Sequence, residues 1–139
     1  MLRNAQTDFM GLWTGKMGNI LVAAALSFDL ICSGVQTIRA FDVDKVEQYE
    51  KTYRVDLENM KWCENECKVT HQISKVSEVQ ITFVKDEKQN GDILADFVNR
   101  EDGSHHALST SKSPIIIVKY EGVCRRSEFS GFPQTDTLF

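Results

Sequence analysis

Four cysteines, Cys32, Cys63, Cys67 and Cys124, carry the clearest chemical signal in the chain. Cys63 and Cys67 have three residues between them, a spacing that suits a short disulfide or, with His71 four residues further on, part of a zinc site. A disulfide is favoured over zinc, because no fourth ligand is visible nearby. Redox-active pairs have two intervening residues rather than three. We therefore predict no metal site and no cofactor.

Two adjacent histidines, His105 and His106, follow the turn Glu101-Asp102-Gly103. Neighbouring side chains of a strand point to opposite faces, so the two rings cannot act as one pair. One ring beside Glu101 or Asp102 would serve as a general base, which makes a hydrolase-type enzyme one alternative. No nucleophile elbow, HExxH helix or glycine-rich phosphate loop accompanies them, so no catalytic residue is assigned. The candidate binding residues are His105, His106, Trp62 and Phe132.

Composition places these residues in one small globular domain. The chain has 139 residues, of which 42% are hydrophobic and 26% are charged. This balance is typical of globular rather than disordered chains, and the length fits a single domain. The formal net charge is -4, with 16 basic and 20 acidic residues. A mildly acidic chain has no electrostatic footprint for nucleic acid, so nucleic acid is excluded as a partner.

The second half of the chain predicts four consecutive strands. Residues 79–89 are rich in β-branched and aromatic side chains, and Asn90-Gly91 follows as a strong hairpin signal. Residues 93–100, 104–110 and 115–123 continue the pattern. The turns between them contain Gly103 and Pro114. Short strands joined by short turns indicate an up-and-down antiparallel arrangement.

The first half is compatible with the same plan. Residues 49–57 alternate between apolar and charged side chains, which is the period of a strand with one buried face. Leu26, Phe28, Leu30 and Cys32 share one parity, and residues 41–45 read as a polar connection. We expect an all-β fold, a small antiparallel up-and-down barrel of about seven or eight strands, since closure hides the strand edges. A β-sandwich is the alternative.

Strand parity also predicts how the cysteines pair. Cys32 shares the inward parity of Phe28 and Leu30, and Cys124 shares the parity of Val118 and Tyr120. A Cys32–Cys124 disulfide would join the first strand to the last and close a loop of roughly 90 residues. Such a loop stabilises a fold by about 4 kcal/mol in the chain-entropy model. The remaining two cysteines, Cys63 and Cys67, then pair with each other.

The start of the chain has the layout of a secretory leader. Arg3 and Lys16 precede the apolar run 20–26, and Ala23 to Ala25 offers small residues at a cleavage site. We predict a leader over residues 1–25 and a single β domain with an aromatic tail over residues 26–139. No membrane span is expected in the mature chain, because the apolar run is too short. The location is then periplasmic or secreted, or cytoplasmic if the leader is not cleaved.

Several short motifs are distributed over roughly residues 26 to 139. They are Phe28-Asp29-Leu30-Ile31-Cys32-Ser33-Gly34, Tyr53-Arg54-Val55-Asp56-Leu57, Trp62-Cys63-x3-Cys67-Lys68, Asn99-Arg100-x2-Gly103, Gly122-x-Cys124 and Phe129-Ser130-Gly131-Phe132-Pro133. These motifs resemble those of small exported proteins of alphaproteobacteria that carry no known activity. The resemblance implies export across the inner membrane, but it transfers no catalytic residue.

The function that these features favour is non-catalytic binding. An exported disulfide-stabilised β-domain would bind a small ligand in the barrel mouth or interior, or a periplasmic protein partner. An enzyme inhibitor that presents a hairpin loop, such as residues 86–92 or 99–104, is a related version. The alternatives are the hydrolase-type enzyme with a histidine–carboxylate pair and a structural envelope protein anchored through its aromatic tail.

Overall fold

The computed structural model describes residues 26–133, and this part of the chain forms one curled antiparallel sheet of nine strands. The predicted leader 1–25 and the end of the predicted tail, 134–139, lie outside the described residues. The strands are β1 (Ser27–Ala40), β2 (Val43–Asp56), β3 (Lys61–Glu64), β4 (His71–Gln72), β5 (Lys75–Val76), β6 (Gln80–Glu87), β7 (Ile93–Asn99), β8 (Ser104–Lys112) and β9 (Ile115–Ser127). Their order is β4-β3-β2-β1-β9-β8-β7-β6-β5. The all-β, up-and-down prediction is confirmed, and the single sheet replaces the sandwich alternative.

The sheet curls until strands from its two halves touch. Tyr53 of β2 stacks on Phe83 of β6 with ring centroids 4.6 Å apart, although the two strands are five places apart in the sheet order. Residues 71–76, which we call the closing segment, connect the two edges. Within this segment β4 pairs with β3 and β5 pairs with β6. The Ile73 amide donates to the Met60 carbonyl at 2.8 Å, and the Ser74 amide donates to the Thr82 carbonyl at 3.0 Å.

The core fills the inside of this curl because apolar residues occupy one parity of each strand. Burying a large apolar side chain contributes about 1.5–3 kcal/mol, so this cluster supplies the main stabilisation of the domain. Its aromatic centre is Tyr53, which contacts Phe83 and Trp62. The buried cluster consists of Phe28, Leu30, Cys32, Tyr53, Val55, Trp62, Ile73, Ile81, Phe83, Val98 and Cys124. We call this side of the sheet the inner face and the opposite side the outer face.

The β1–β2 hairpin is longer than the sequence predicts. Residues 43–45, expected in a polar connection, belong to β2, and the turn consists of Phe41 and Asp42 alone. Beyond the core, the ends of β1, β2 and β9 carry exposed apolar side chains on both faces. Phe41 at the turn is 97% exposed. The exposed apolar residues of this region, which we call the hairpin end, are Val35, Phe41, Val43, Val46, Ile115 and Ile117.

Two turn details also differ from expectation. The hairpin at Asn90-Gly91 forms, but its loop spans five residues, since Glu87 pairs with Ile93. Asn90 keeps a negative φ and its side chain accepts a hydrogen bond from the Asp92 amide, so the two-residue turn with positive φ at both positions does not form. The register shifts between Thr82 and Val84 of β6, where one strand carries an irregularity.

Candidate functional site: a buried histidine–aspartate pair beneath a tyrosine surface

A buried histidine and a buried carboxylate meet on the inner face. In the sheet register His105 of β8 lies opposite Val98 and Gly122, and Asp96 of β7 lies opposite Ala107. His105 is fully buried, and its Nε2 lies 2.9 Å from Asp96 Oδ1. The other carboxylate oxygen of Asp96 accepts a 2.6 Å hydrogen bond from the Tyr53 hydroxyl. The carboxylate is therefore satisfied by two donors inside the barrel, as a buried charge requires.

Donor and acceptor accounting assigns the tautomer of a neutral imidazole at this position. The Asp96 carboxylate only accepts, so a neutral His105 carries its hydrogen on Nε2. His105 Nδ1 is then an acceptor, and it takes the hydrogen of the Tyr49 hydroxyl at 2.7 Å. This tautomer is assigned from the hydrogen-bond network. We call the chain Tyr49–His105–Asp96–Tyr53 the buried network, in which every hydroxyl and ring nitrogen has a partner.

A pair of glycines makes room for the buried network. Gly34 and Gly122 lie opposite each other on β1 and β9, two residues from the disulfide-bonded pair Cys32 and Cys124. A Cβ on Gly122 would collide with the Ser33 carbonyl and stand 2.5 Å from the Tyr49 hydroxyl oxygen. Only glycine therefore leaves Tyr49 free to reach across the sheet and bond to His105.

Burial strongly affects the ionisation of both tyrosines. The pKa of Tyr49 is raised to about 12, mainly by desolvation and next by the negative charge of Asp96. The same two causes raise the pKa of Tyr53 far above its ordinary value. Both hydroxyls thus remain protonated at neutral pH, and they act in the network as hydrogen-bond donors.

The network makes stability sensitive to alkaline pH. The unfolded chain releases the Tyr49 proton near pH 10, whereas the folded protein holds it until about pH 12. The contribution of Tyr49 to the free energy of unfolding is complete below pH 10. It is lost as the pH rises toward 12, because the unfolded state releases the proton first. We expect guanidinium denaturation at pH values on either side of 10 to show this decline, and Tyr49→Phe to show a smaller one. Equal declines in both proteins would contradict the assignment.

The buried network places a tyrosine, a histidine and an aspartate in series, which is the connectivity of a proton relay. The imidazole is fully buried, and the raised pKa of Tyr49 keeps its hydroxyl protonated at neutral pH. The hydrogen bond to His105 holds the Tyr49 hydroxyl in place.

Above the network, the inner face carries a half-buried cluster that we call the tyrosine surface: Gln36, Tyr49, Lys51 and Tyr120. The rings of Tyr49 and Tyr120 meet edge to face with centroids 5.0 Å apart. Gln36 donates to the Tyr120 hydroxyl at 2.9 Å. The Lys51 ammonium lies 4.8 Å from the Tyr120 ring centroid and 3.0 Å from the Glu64 carboxylate. Each side chain of this surface is thus held by a neighbour.

The candidate binding residues from the sequence lie in four separate places. Trp62 is buried in the core, where its Nε1 lacks a protein partner. His105 belongs to the buried network. His106 is exposed on the outer face and stacks on Phe97 with ring centroids 5.5 Å apart. Phe132 packs edge to face on Phe129.

The carboxylate bonded to His105 is neither of the two that the sequence suggested as partners of a histidine. Glu101 and Asp102 lie in an exposed turn, and the carboxylate bonded to His105 is Asp96. Asp102 instead accepts a hydrogen bond from the Ser104 amide at 2.8 Å, and this bond lowers the pKa of Asp102. The sequence did contain a signal for Asp96, which shares the parity of Leu94 and Val98 in a strand otherwise apolar on that side.

Both disulfides are present, Cys32–Cys124 and Cys63–Cys67, and no cysteine between residues 26 and 133 is free. His71, weighed as a zinc ligand with Cys63 and Cys67, packs against the Trp62 ring at a centroid distance of 4.7 Å. The beginning of the aromatic tail is fixed to the sheet. Arg54 donates to the Gly131 carbonyl at 2.9 Å, and the Ser130 hydroxyl donates to Asp29 at 2.7 Å.

A groove lies at the end of the barrel opposite to the tyrosine surface. It has a volume of about 410 Å³ and lies below the core, away from the tyrosine surface. Its floor is apolar and its rim contains the exposed turn after β7. The lining includes Phe28, Leu30, Val98, Glu101, Asp102 and Arg126.

The chain matches no protein-family model, no curated protein and no solved structure. Its chemistry must therefore be argued from its own residues. Within residues 26–133, no helix has the length and apolarity needed to cross a membrane.

Proposed function

We propose that this protein is an exported, non-catalytic β-domain that binds a protein partner through the tyrosine surface. The observation that carries the proposal is the support beneath Tyr49: a hydroxyl bonded to a buried imidazole, which is bonded to a buried carboxylate. A fixed aromatic ring loses little conformational freedom on binding, so more of its contact energy contributes to affinity. Tyrosine is also enriched at protein interfaces, because its ring is apolar and its tip is polar.

A protein partner fits the surroundings better than an enclosed small ligand. The tyrosine surface lies where the core ends and the sheet continues as a single layer toward the hairpin end. Val43 and Phe41 there are exposed and apolar, and they lie further along the hairpin than the polar groups Gln36 and Lys51. Apolar contact area adjoining a few placed polar groups is the composition of a protein–protein interface. The exposed β1–β2 turn would be the hairpin presented by an inhibitor.

Site-specific photo-crosslinking tests the proposed surface. A photoreactive residue at Gln36 lies on the inner face beside Tyr120, whereas one at Glu121, one residue after Tyr120, lies on the outer face and serves as the matched control. We expect an envelope-protein adduct from position 36 in producing cells, and its loss in Tyr49→Ala. Adducts from position 121 alone, or from neither position, would refute the proposal. A small molecule retained in native mass spectrometry would place binding elsewhere, such as the groove lined by Phe28 and Leu30.

Export is the second part of the proposal. Its support is the leader-like sequence before residue 26, the resemblance to exported alphaproteobacterial proteins and the two disulfides, which form in oxidising compartments. We expect intact-mass measurement of the native protein to show a mature chain that starts near Leu26 and gains the mass of four hydrogens on reduction. A chain that retains residues 1–25 with four free thiols would contradict export.

A further inference from the structure

A disulfide and the buried imidazole lie side by side on the inner face. Cys32 and Cys124 are directly opposite each other on β1 and β9, and His105 is opposite Gly122, two residues before Cys124. The potential ligand atoms of these three residues all lie within 4.8 Å of one another. All three side chains are buried. The disulfide of the folded protein therefore occupies a place where two sulfurs and one nitrogen converge.

We propose that reduction of the Cys32–Cys124 disulfide creates a binding site for Zn²⁺ formed by Cys32, Cys124 and His105. In the first step a dithiol reductant gives two electrons and two protons to the disulfide and becomes a disulfide itself. In the second step Zn²⁺ binds both sulfurs and one ring nitrogen, and the two thiol protons are released to solvent. No covalent bond other than the disulfide is broken.

The donor set and its spacing suit zinc. Two thiolates and an imidazole are ligands that Zn²⁺ prefers, at about 2.3 Å to sulfur and about 2.0 Å to nitrogen. A tetrahedral ion with those bond lengths holds its ligand atoms about 3.5–3.8 Å apart. After reduction the two sulfurs have to move apart by about 2 Å from their bonded separation, and the sulfur-to-nitrogen spacing changes by about an ångström. The sheet register already holds the three Cα positions.

The buried network selects the nitrogen that binds. Asp96 holds the hydrogen on Nε2, so Nδ1 carries the only lone pair of the ring. Nδ1 would exchange its hydrogen bond with Tyr49 for the metal, while Nε2–H remains on Asp96. A ligating histidine that donates its other N–H to a carboxylate is the arrangement that orients imidazoles in zinc sites. With three protein ligands, the fourth position of the ion is left open beside Tyr49.

Cobalt binding by the full-length reduced protein tests the site, because Co²⁺ takes tetrahedral thiolate sites and reports them by absorption. Cys63→Ser with Cys67→Ser removes the other thiols and leaves only the proposed pair. For this variant, reduced under anaerobic conditions, we expect one Co²⁺ per chain with thiolate-to-metal charge-transfer bands. Cys32→Ser with Cys124→Ser is the matched control, and we expect no such bands. Bands of equal intensity in both proteins, or in neither, would overturn the proposal.

The role of the histidine is tested separately through Asp96→Asn. This change keeps the size of the side chain but weakens the support of Nε2, and we expect Co²⁺ affinity to fall about 10–100-fold. Circular dichroism checks the fold of each protein before and after metal addition. An unchanged affinity in Asp96→Asn would contradict the orienting role of Asp96, and an unchanged affinity in His105→Ala would remove His105 from the site. A reduced protein that is unfolded, and that Co²⁺ does not refold, would also overturn the proposal.

Discussion

Replacing Cys32 and Cys124 together by alanine is expected to lower the free energy of unfolding by about 4–5 kcal/mol in the chain-entropy model. The two cysteines are 92 residues apart in sequence, so their bond restricts most of the described chain in the unfolded state. Alanine leaves no unpaired polar atom in the core, so the loss reports mainly the missing crosslink. Guanidinium denaturation measures the change, and the slope of the transition shows whether the unfolded state has expanded.

The second disulfide supplies the matched control for this experiment. Cys63 and Cys67 are only 4 residues apart, and their removal by alanine is expected to cost about 2 kcal/mol. The difference between the two double variants therefore isolates the effect of loop length. If both variants lose the same stability, the long-range bond does not act through the unfolded chain, and its contribution must come from contacts in the folded barrel.

Asp96→Ala is expected to destabilise the protein by about 2–6 kcal/mol, because it leaves two buried donors unsatisfied at about 1–3 kcal/mol each. The substitution leaves the Tyr53 hydroxyl and the His105 Nε2–H without their acceptor inside the barrel. Neither donor has access to water, because both side chains are fully buried. Urea denaturation of the purified variant measures the loss.

Tyr53→Phe is the matched variant for Asp96→Ala. It removes one hydroxyl from the same hydrogen-bond network, retains the ring stacked on Phe83, and is expected to cost about 1–2 kcal/mol. The double variant gives the coupling between the two groups. An Asp96→Ala loss no larger than that of Tyr53→Phe would show that water or a rearranged side chain replaces the carboxylate.

The sequence was sufficient to predict much of the barrel. Glycine and asparagine turns separated the strands from β6 to β9, and the alternation in residues 49–57 identified the buried part of β2. Strand parity also placed Cys32 and Cys124 on the same face, where they form a disulfide. These predictions succeed because each depends on local turn chemistry or on the period of a single strand.

The site was harder to predict, because its residues meet only through register between strands. Sequence proximity pointed from His105 to Glu101 and Asp102, whereas the bonded carboxylate, Asp96, belongs to the neighbouring strand. Tyr49 reaches His105 only because the Gly34–Gly122 pair leaves space between β2 and β8. The upper part of the β1–β2 hairpin was missed for a related reason. This part of the hairpin has no face buried in the core, so its sequence does not alternate between apolar and polar residues.

The closing segment has a further consequence for how the barrel opens. An open sheet has two unpaired edges at which other chains can pair, and residues 71–76 cover a short part of each with one segment of backbone. Each junction pairs only two residues of the segment with its neighbour, whereas β1 and β2 pair over their full 14-residue lengths. We therefore expect local opening to begin at this segment, with its amide hydrogens exchanging before those of β1.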